Sequence, residues 1–271
     1  MKRLVILLLA GVAAFGLAAG PCFAEKIVIA GSTTVLPIAQ KTAEVFMDEN
    51  PNADITVRGG GSSVGIAALI DGTCDIADSS RPIKDVEIEK AAANGRDVVA
   101  HIVALDGIAV VVNQSNPIAK LSRKQVKDIF TGKTSDWAQL GGNPGKIVVV
   151  SRDTSSGTFE AFGELVMKGE KVMPSALMQA SNQAVAQIIA QTPQAIGYVG
   201  LGFMSQELKA MEIEGIMPSK ETVLSGKYPV TRPLFMYSNG KPQGMIKTYL
   251  DFVKSQEGQK LVESQGYVGL K

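Results

Sequence analysis

The feature that most restricts the fold is a regular alternation of short apolar runs with helical segments. The runs IVIA (27–30), ITVRG (55–59) and KIVVVS (146–151) predict buried strands, and the segments that follow them have the apolar spacing of helices. Such alternation is typical of parallel sheets covered by helices. The sequence therefore predicts an α/β fold.

Two further apolar runs, VVAHIVAL and IAVVVN, occupy residues 98–113 and are separated only by Asp106 and Gly107. They predict two strands. An Asp-Gly pair is a strong turn signal, so Asp106 can be read as a turn residue. A carboxylate between two apolar strands is also costly unless it has a partner, so Asp106 is equally a candidate site residue.

The first 24 residues have the organisation of a secretory signal peptide. Lys2 and Arg3 precede an apolar run that ends near Ala24, a small residue suited to cleavage. We expect no lipid anchor at Cys22, because Pro21 stands where such processing signals require a small residue. The remaining chain is predicted to work outside the cytoplasm.

The charge of the remaining chain is nearly balanced. Without the first 24 residues, the chain has 25 basic and 26 acidic residues. This balance gives no indication of nucleic-acid binding, and it requires that any anion site be built locally.

Glycine and hydroxyl residues cluster at three predicted helix starts. The clusters are GSTT (31–34), GSS (61–63) and SSGT (155–158), the last with Arg152 just before it. Strand ends of a parallel sheet meet at one edge, so these helix starts would converge on one crevice. Helix starts offer free N–H groups to an anion. A single Ser or Thr there is usually only a cap, but three such clusters predict a shared anion site.

The motifs GSTTVLP, GGGSSVG, DIADSSR and SRDTSSGTFEAF occur here in an order and spacing that resemble the PstS family, the substrate-binding proteins of phosphate-specific ABC transporters. The resemblance extends over essentially the whole chain after the leader. It implies a two-lobed periplasmic-binding-protein fold of type II, with mixed or parallel sheets, helices on both faces and a ligand cleft between the lobes. We expect residues 25–106 and 231–271 to form lobe 1 and residues 107–230 to form lobe 2.

The resemblance also implies a function and a set of ligand residues. The protein would capture inorganic phosphate and deliver it to the membrane permease of an ABC importer, without catalysis, cofactor or metal. The matching positions are Ser32, Thr33, Thr34, Ser62, Arg152, Ser156, Gly157 and Thr158.

One departure from the family bears on selectivity. Some members have an aspartate that accepts the proton of HPO₄²⁻ where this chain has Ser80 followed by Arg81. We keep both residues in the predicted site and expect another carboxylate to accept the proton. Asp106 is our first choice and Asp78 and Asp153 are the alternatives, which could instead orient Arg81 and Arg152.

Two other functions stay open from the residues alone. The same donors could hold sulfate, molybdate or another tetrahedral oxyanion. A serine at a helix start could also be the nucleophile of a phosphoester hydrolase, but that needs an activating base, and His101 is the only histidine.

Overall fold

The computed structural model describes residues 25–270. The predicted signal peptide and Cys22 lie outside the described residues. The strands are β1 (Glu25–Gly31), β2 (Ala53–Gly59), β3 (Ile76–Ser79), β4 (Val98–Asn113), β5 (Lys120–Leu121), β6 (Val148–Arg152), β7 (Leu177–Gln179), β8 (Ala195–Gly200), β9 (Leu208–Ala210), β10 (Glu212–Ile213) and β11 (Thr231–Asn239).

The helices between the strands begin mostly at serine caps or at glycine turns. They are α1 (Leu36–Glu49), α2 (Ser62–Ile70), α3 (Asp85–Ala93), α4 (Arg123–Phe130), α5 (Gly157–Phe162), α6 (Asn182–Gln191), α7 (Lys220–Leu224), α8 (Gly244–Lys254) and α9 (Gln256–Ser264). Among the helices of residues 25–270, none has both the length and the apolar character that crossing a bilayer requires.

The main sheet is open and mixed, with the strand order β2-β1-β3-β11-β4-β8-β6-β7 and β9 also paired with β4. The pairs β1–β2, β1–β3, β6–β7 and β6–β8 are parallel, whereas β11 runs antiparallel to β3 and β4. The prediction of a mixed α/β fold is confirmed.

Residues 98–113 form one strand, and the prediction of two strands was wrong. The first part of β4 pairs with β11 as far as Gly107, and the part from Ile108 onward pairs with β8. The Asp-Gly turn does not form because Asp106 has a partner within the sheet, described below. Gly107 is needed because a Cβ there would lie 2.8 Å from Val223 Cγ2.

The apolar core lies on both faces of each half of the sheet. In the half beyond Gly107, Ile108, Val110 and Val112 pack on one face, while Ala109 and Val111 pack on the other. In the first half, one cluster gathers around β1, α1, α8 and α9, and a second gathers around α2 and β11. Strand alternation thus lets each half of the sheet hold an apolar cluster on both of its faces. This arrangement is compatible with the two lobes, whose exact limits stay a prediction.

Asp78 is an exception in this core. It lies on β3, its side chain is fully buried, and neither carboxyl oxygen has a hydrogen-bond partner within the described residues. Burial raises the pKa of Asp78 well above its ordinary value, because an ionised carboxylate without water or a partner is costly. The folded protein therefore retains a proton that the unfolded chain loses in mild acid.

We predict that replacing Asp78 by Asn changes how stability depends on pH. Below the unfolded pKa of about 3.9 both states hold the proton, and above it the free energy of unfolding should fall by about 1.4 kcal/mol per pH unit until the folded carboxyl ionises. Asp78→Asn has no such proton, so its stability relative to wild type should rise from pH 4 upward. Urea unfolding at several pH values measures this, with the exposed Asp54→Asn as control. A constant difference between wild type and Asp78→Asn would contradict the prediction.

Candidate anion-binding site

The three clusters of hydroxyl residues meet at the edge of the sheet where β1, β2 and β6 end. Gly61 makes the close approach possible, since its φ of 100° lies in the left-handed region and a Cβ there would lie 2.5 Å from the Ser155 carbonyl oxygen. The Gly61 N–H donates to the Gly31 carbonyl over 2.9 Å, and the Ser63 N–H donates to the Ser155 carbonyl over 3.1 Å. The backbones of all three clusters are thereby joined.

Side chains of the clusters also touch each other. The Thr34 and Thr158 hydroxyls share a hydrogen bond of 2.9 Å. Gly157 packs so tightly that a Cβ on it would lie 2.3 Å from Ser62 Oγ and 2.9 Å from Ser80 Oγ. Each of these residues is buried, so the structure brings the predicted positions into one enclosed group.

Two serines of the group also accept a backbone N–H at or just before a helix start. Ser32 Oγ accepts from the Thr34 N–H over 3.1 Å, just before α1, and Ser156 Oγ accepts from the Phe159 N–H over 3.2 Å in α5. A hydroxyl that accepts a capping bond still has its own hydrogen to donate. Capping and anion binding are therefore compatible at Ser32 and Ser156.

Arg152 supplies the charge of the group. The Gln179 carbonyl accepts from its Nε over 3.0 Å, and the Ala180 carbonyl and Thr33 Oγ1 accept from its Nη2 over 2.9 and 3.2 Å. Its Nη1 is buried and has no hydrogen-bond partner within residues 25–270. Burial lowers the pKa of Arg152 to about 10, which still leaves the guanidinium charged at neutral pH. A buried cation with a free donor is the arrangement that an anionic ligand completes.

Asp153 does not orient Arg152, as we had considered, because its side chain is used locally. Asp153 Oδ1 accepts from the Ser155 hydroxyl over 2.6 Å and from the Ser155 N–H over 3.0 Å. Arg152 is positioned by the two carbonyls of residues 179 and 180 instead.

Asp106 lies at the site but is already paired. Its Oδ2 accepts from Arg232 Nη2 over 2.8 Å and from Arg232 Nε over 3.1 Å, and its Oδ1 accepts from the Leu201 N–H over 2.9 Å. Burial raises the pKa of Asp106, and the Arg232 guanidinium opposes that rise. With both oxygens engaged, Asp106 is poorly placed to accept a proton from a ligand.

Sequence reasoning missed two polar residues of the site. Arg232 extends from β11 and donates to the Ser80 carbonyl over 3.1 Å and to Thr34 Oγ1 over 3.3 Å. Asn182, at the start of α6, donates to Thr34 Oγ1 over 3.0 Å and to Thr33 Oγ1 over 3.2 Å. Neither belongs to a glycine and hydroxyl cluster. The available signals were a charged residue inside the apolar run TRPLF and an asparagine just after a capping serine.

Arg81 is placed differently from the other predicted residues. Its Nη1 and Nη2 bind Glu87 over 2.8 and 2.7 Å, Nη2 also donates to Ser63 Oγ over 3.0 Å, and Nε lies 3.0 Å from Glu160 Oε1. Asp78 therefore does not orient Arg81. Arg81 Nε makes no hydrogen bond within the described residues, although Glu160 lies close to it. Because Nη1 and Nη2 are taken by Glu87 and Ser63, we leave Arg81 out of the ligand set proposed below.

Acidic, histidine and cysteine side chains do not gather into a metal-binding group of three or more anywhere in residues 25–270.

Comparison with known proteins agrees with this fold. The sequence profile of the PBP superfamily domain matches residues 18–257. A crystal structure of a substrate-binding protein from Clostridium perfringens, assigned to a phosphate ABC transporter and holding phosphate, superposes with a TM-score of 0.85 at 32% identity, covering 91% of this chain and 100% of that one. The fold and the site define a two-lobed solute-binding protein.

Curated relatives specify the family further. The phosphate-binding protein PstS of Bacillus subtilis is 36% identical over 246 residues, covering 90% of this chain and 80% of the relative. PstS of Borreliella burgdorferi is 32% identical over 260 residues, covering 91% of each chain. The chain belongs to the PstS family.

We predict that Asp106→Asn destabilises the protein, because it leaves the buried Arg232 guanidinium without its counter-charge. Breaking one member of a buried ion pair costs about 3–5 kcal/mol. Urea unfolding should show that loss, and the double variant Asp106→Asn with Arg232→Gln should recover part of it, since no cation then stays unpaired. Asp153→Asn serves as the control with the same chemical change. A loss below about 1 kcal/mol for Asp106→Asn would show that the pair contributes little.

Proposed function

We propose that this protein captures inorganic phosphate within the buried group of hydroxyls around Arg152 and passes it to an ABC importer. The observation that carries the proposal is Arg152 itself, a buried guanidinium beside Thr33 whose Nη1 has no hydrogen-bond partner in the described part of the chain. The names of the curated relatives, and the phosphate in the Clostridium perfringens structure, support phosphate as the anion.

The proposed ligand set combines one charge with many neutral donors. Arg152 would form charge-assisted hydrogen bonds with phosphate oxygens, for which the planar guanidinium fork is well suited. Hydroxyls and the N–H groups at the starts of α2 and α5 would complete the shell. The proposed ligand residues are Ser32, Thr33, Thr34, Ser62, Ser80, Arg152, Ser156, Gly157 and Thr158, with Asn182 added from the structure.

Selection between phosphate and sulfate would rest on hydroxyl oxygens rather than on a free carboxylate. Phosphate at neutral pH has a proton that needs an acceptor, and sulfate has none. Asp106 and Asp153 are engaged with Arg232 and Ser155, while burial raises the pKa of Asp78 well above its ordinary value and so favours its protonated form. A hydroxyl can turn to accept from phosphate or to donate to sulfate, so we propose weaker discrimination than a carboxylate would give.

A hydrolase is the weaker alternative. Ser156 Oγ is the cap of α5, and the ring of His101 binds Ser238 on β11, so the structure gives Ser156 no histidine partner. Without an adjacent base a serine hydroxyl is a poor nucleophile. Delivery to permease subunits and a periplasmic location belong to the same proposal, and they are supported by family membership.

Isothermal titration of phosphate-free protein tests the proposal directly. Phosphate should bind with a micromolar or tighter Kd, about −8 kcal/mol or better. Arg152→Ala should weaken binding at least tenfold, since it removes the one cation of the ligand set, whereas the exposed Arg58→Ala should not change it. An unchanged Kd for Arg152→Ala would remove Arg152 from the site, and tighter binding of sulfate or molybdate than of phosphate would favour another oxyanion.

A further inference from the structure

A second charged group lies beside the proposed ligand set and joins the two predicted lobes. Its members are Ser63, Arg81, Lys84 and Glu87 from predicted lobe 1 and Glu160 from predicted lobe 2. Glu160 Oε1 lies 3.0 Å from Arg81 Nε and accepts from the Ser63 hydroxyl over 3.2 Å, and its Oε2 pairs with Lys84 Nζ. One carboxylate from α5 thus contacts three side chains of the opposite lobe.

The lobe 1 part of this group is complete without Glu160. Arg81 and Glu87 form a two-pronged ion pair, and Glu87 Oε2 also accepts from the Lys84 N–H over 2.9 Å. These residues are close in sequence, so their contacts would survive a separation of the lobes. Arg81 and Lys84 together carry two positive charges against one from Glu87, which leaves a local surplus of one positive charge that Glu160 neutralises.

Burial makes these contacts stronger than ordinary surface ion pairs. The side chains of Arg81, Glu160 and Glu87 are only 4%, 15% and 16% exposed, whereas Lys84 is 50% exposed. Partly buried pairs are less screened than exposed ones, although mobile ions still weaken them. Arg81 directly follows Ser80, and Glu160 lies three residues after Gly157, so the contacts form where both lobes supply proposed ligand residues.

We infer that Glu160 is a latch residue that docks onto the Arg81–Glu87 pair, stabilises the closed form and slows the release of phosphate. Glu160 is not one of the proposed ligand residues, and the latch acts through closure alone. The inference rests on the proposed function, because its principal measurement is phosphate release. It gives Arg81 a positioning role in place of the direct contact expected from the sequence.

The test compares Glu160→Gln with Glu164→Gln. Glu164 is exposed and lies four residues further along the chain, and its replacement by Gln removes the same charge. Dissociation would be followed by chasing bound radiolabelled phosphate with excess unlabelled phosphate. Glu160→Gln should release phosphate about tenfold faster with little change in the association rate, because affinity differences among variants of one site reside mostly in dissociation. Glu164→Gln should match wild type.

Ionic strength supplies a second readout that simple loss of packing would not change. Raising NaCl from 0.05 to 0.5 M should speed release from wild type and Glu164→Gln more than from Glu160→Gln, because only the first two retain the screened contacts. Equal release rates and equal salt responses in all three proteins would overturn the latch.

Small-angle X-ray scattering of phosphate-free protein separates failure of the latch from failure of the proposed function. If wild type binds no phosphate, the proposed function fails, and the latch still predicts a larger radius of gyration for Glu160→Gln than for Glu164→Gln. Equal radii in that case would overturn the latch as well.

Discussion

The buried pair of Asp106 and Arg232 is the interaction on which the rest of the site depends. It forms where β4 leaves its pairing with β11 and begins its pairing with β8. Asp106 also accepts from the Leu201 N–H, and Arg232 reaches the Ser80 carbonyl and Thr34. One ion pair therefore links the crossing strands, the end of β3 and the first hydroxyl cluster. A buried ion pair contributes modestly to net stability, but it strongly disfavours arrangements in which either charge is left alone.

Much of this molecule could be predicted from local sequence patterns, because strand alternation, serine caps and glycine turns act over a few residues. The helix starts at Ser62 and Gly157 and the convergence of their hydroxyls are of this kind. Arg232 and Asn182 could not be found in that way, since each reaches the site from a distant segment with no motif of its own. Asp106 combines a predictable and an unpredictable feature. Its burial could be predicted from the apolar runs around it, but its partner Arg232 lies 126 residues away in the sequence.

The site is built mainly from neutral donors in a chain with almost no net charge. Hydroxyls and backbone N–H groups cost little to bury when they bind one another, as Thr34 and Thr158 do here. Arg152 is the costly member, and the carbonyls of residues 179 and 180 accept two of its five N–H donors without neutralising its charge. Because these donors bind one another and backbone carbonyls, few side-chain rotamers are left to restrict on binding.

The unbroken strand β4 also bears on how the protein folds. Its first part completes the sheet of one half, and its second part lies in the middle of the other half. Both halves of the sheet therefore share the single strand β4. After the second half, the chain returns through β11, which pairs with β3 and β4 in the first half. Neither half can therefore be excised as an independent unit. If one half unfolded, the part of β4 that belongs to it would lose its partner strand, while the rest of β4 stayed in the folded half. The molecule is two-lobed in shape and should be a single cooperative unit in its thermodynamics.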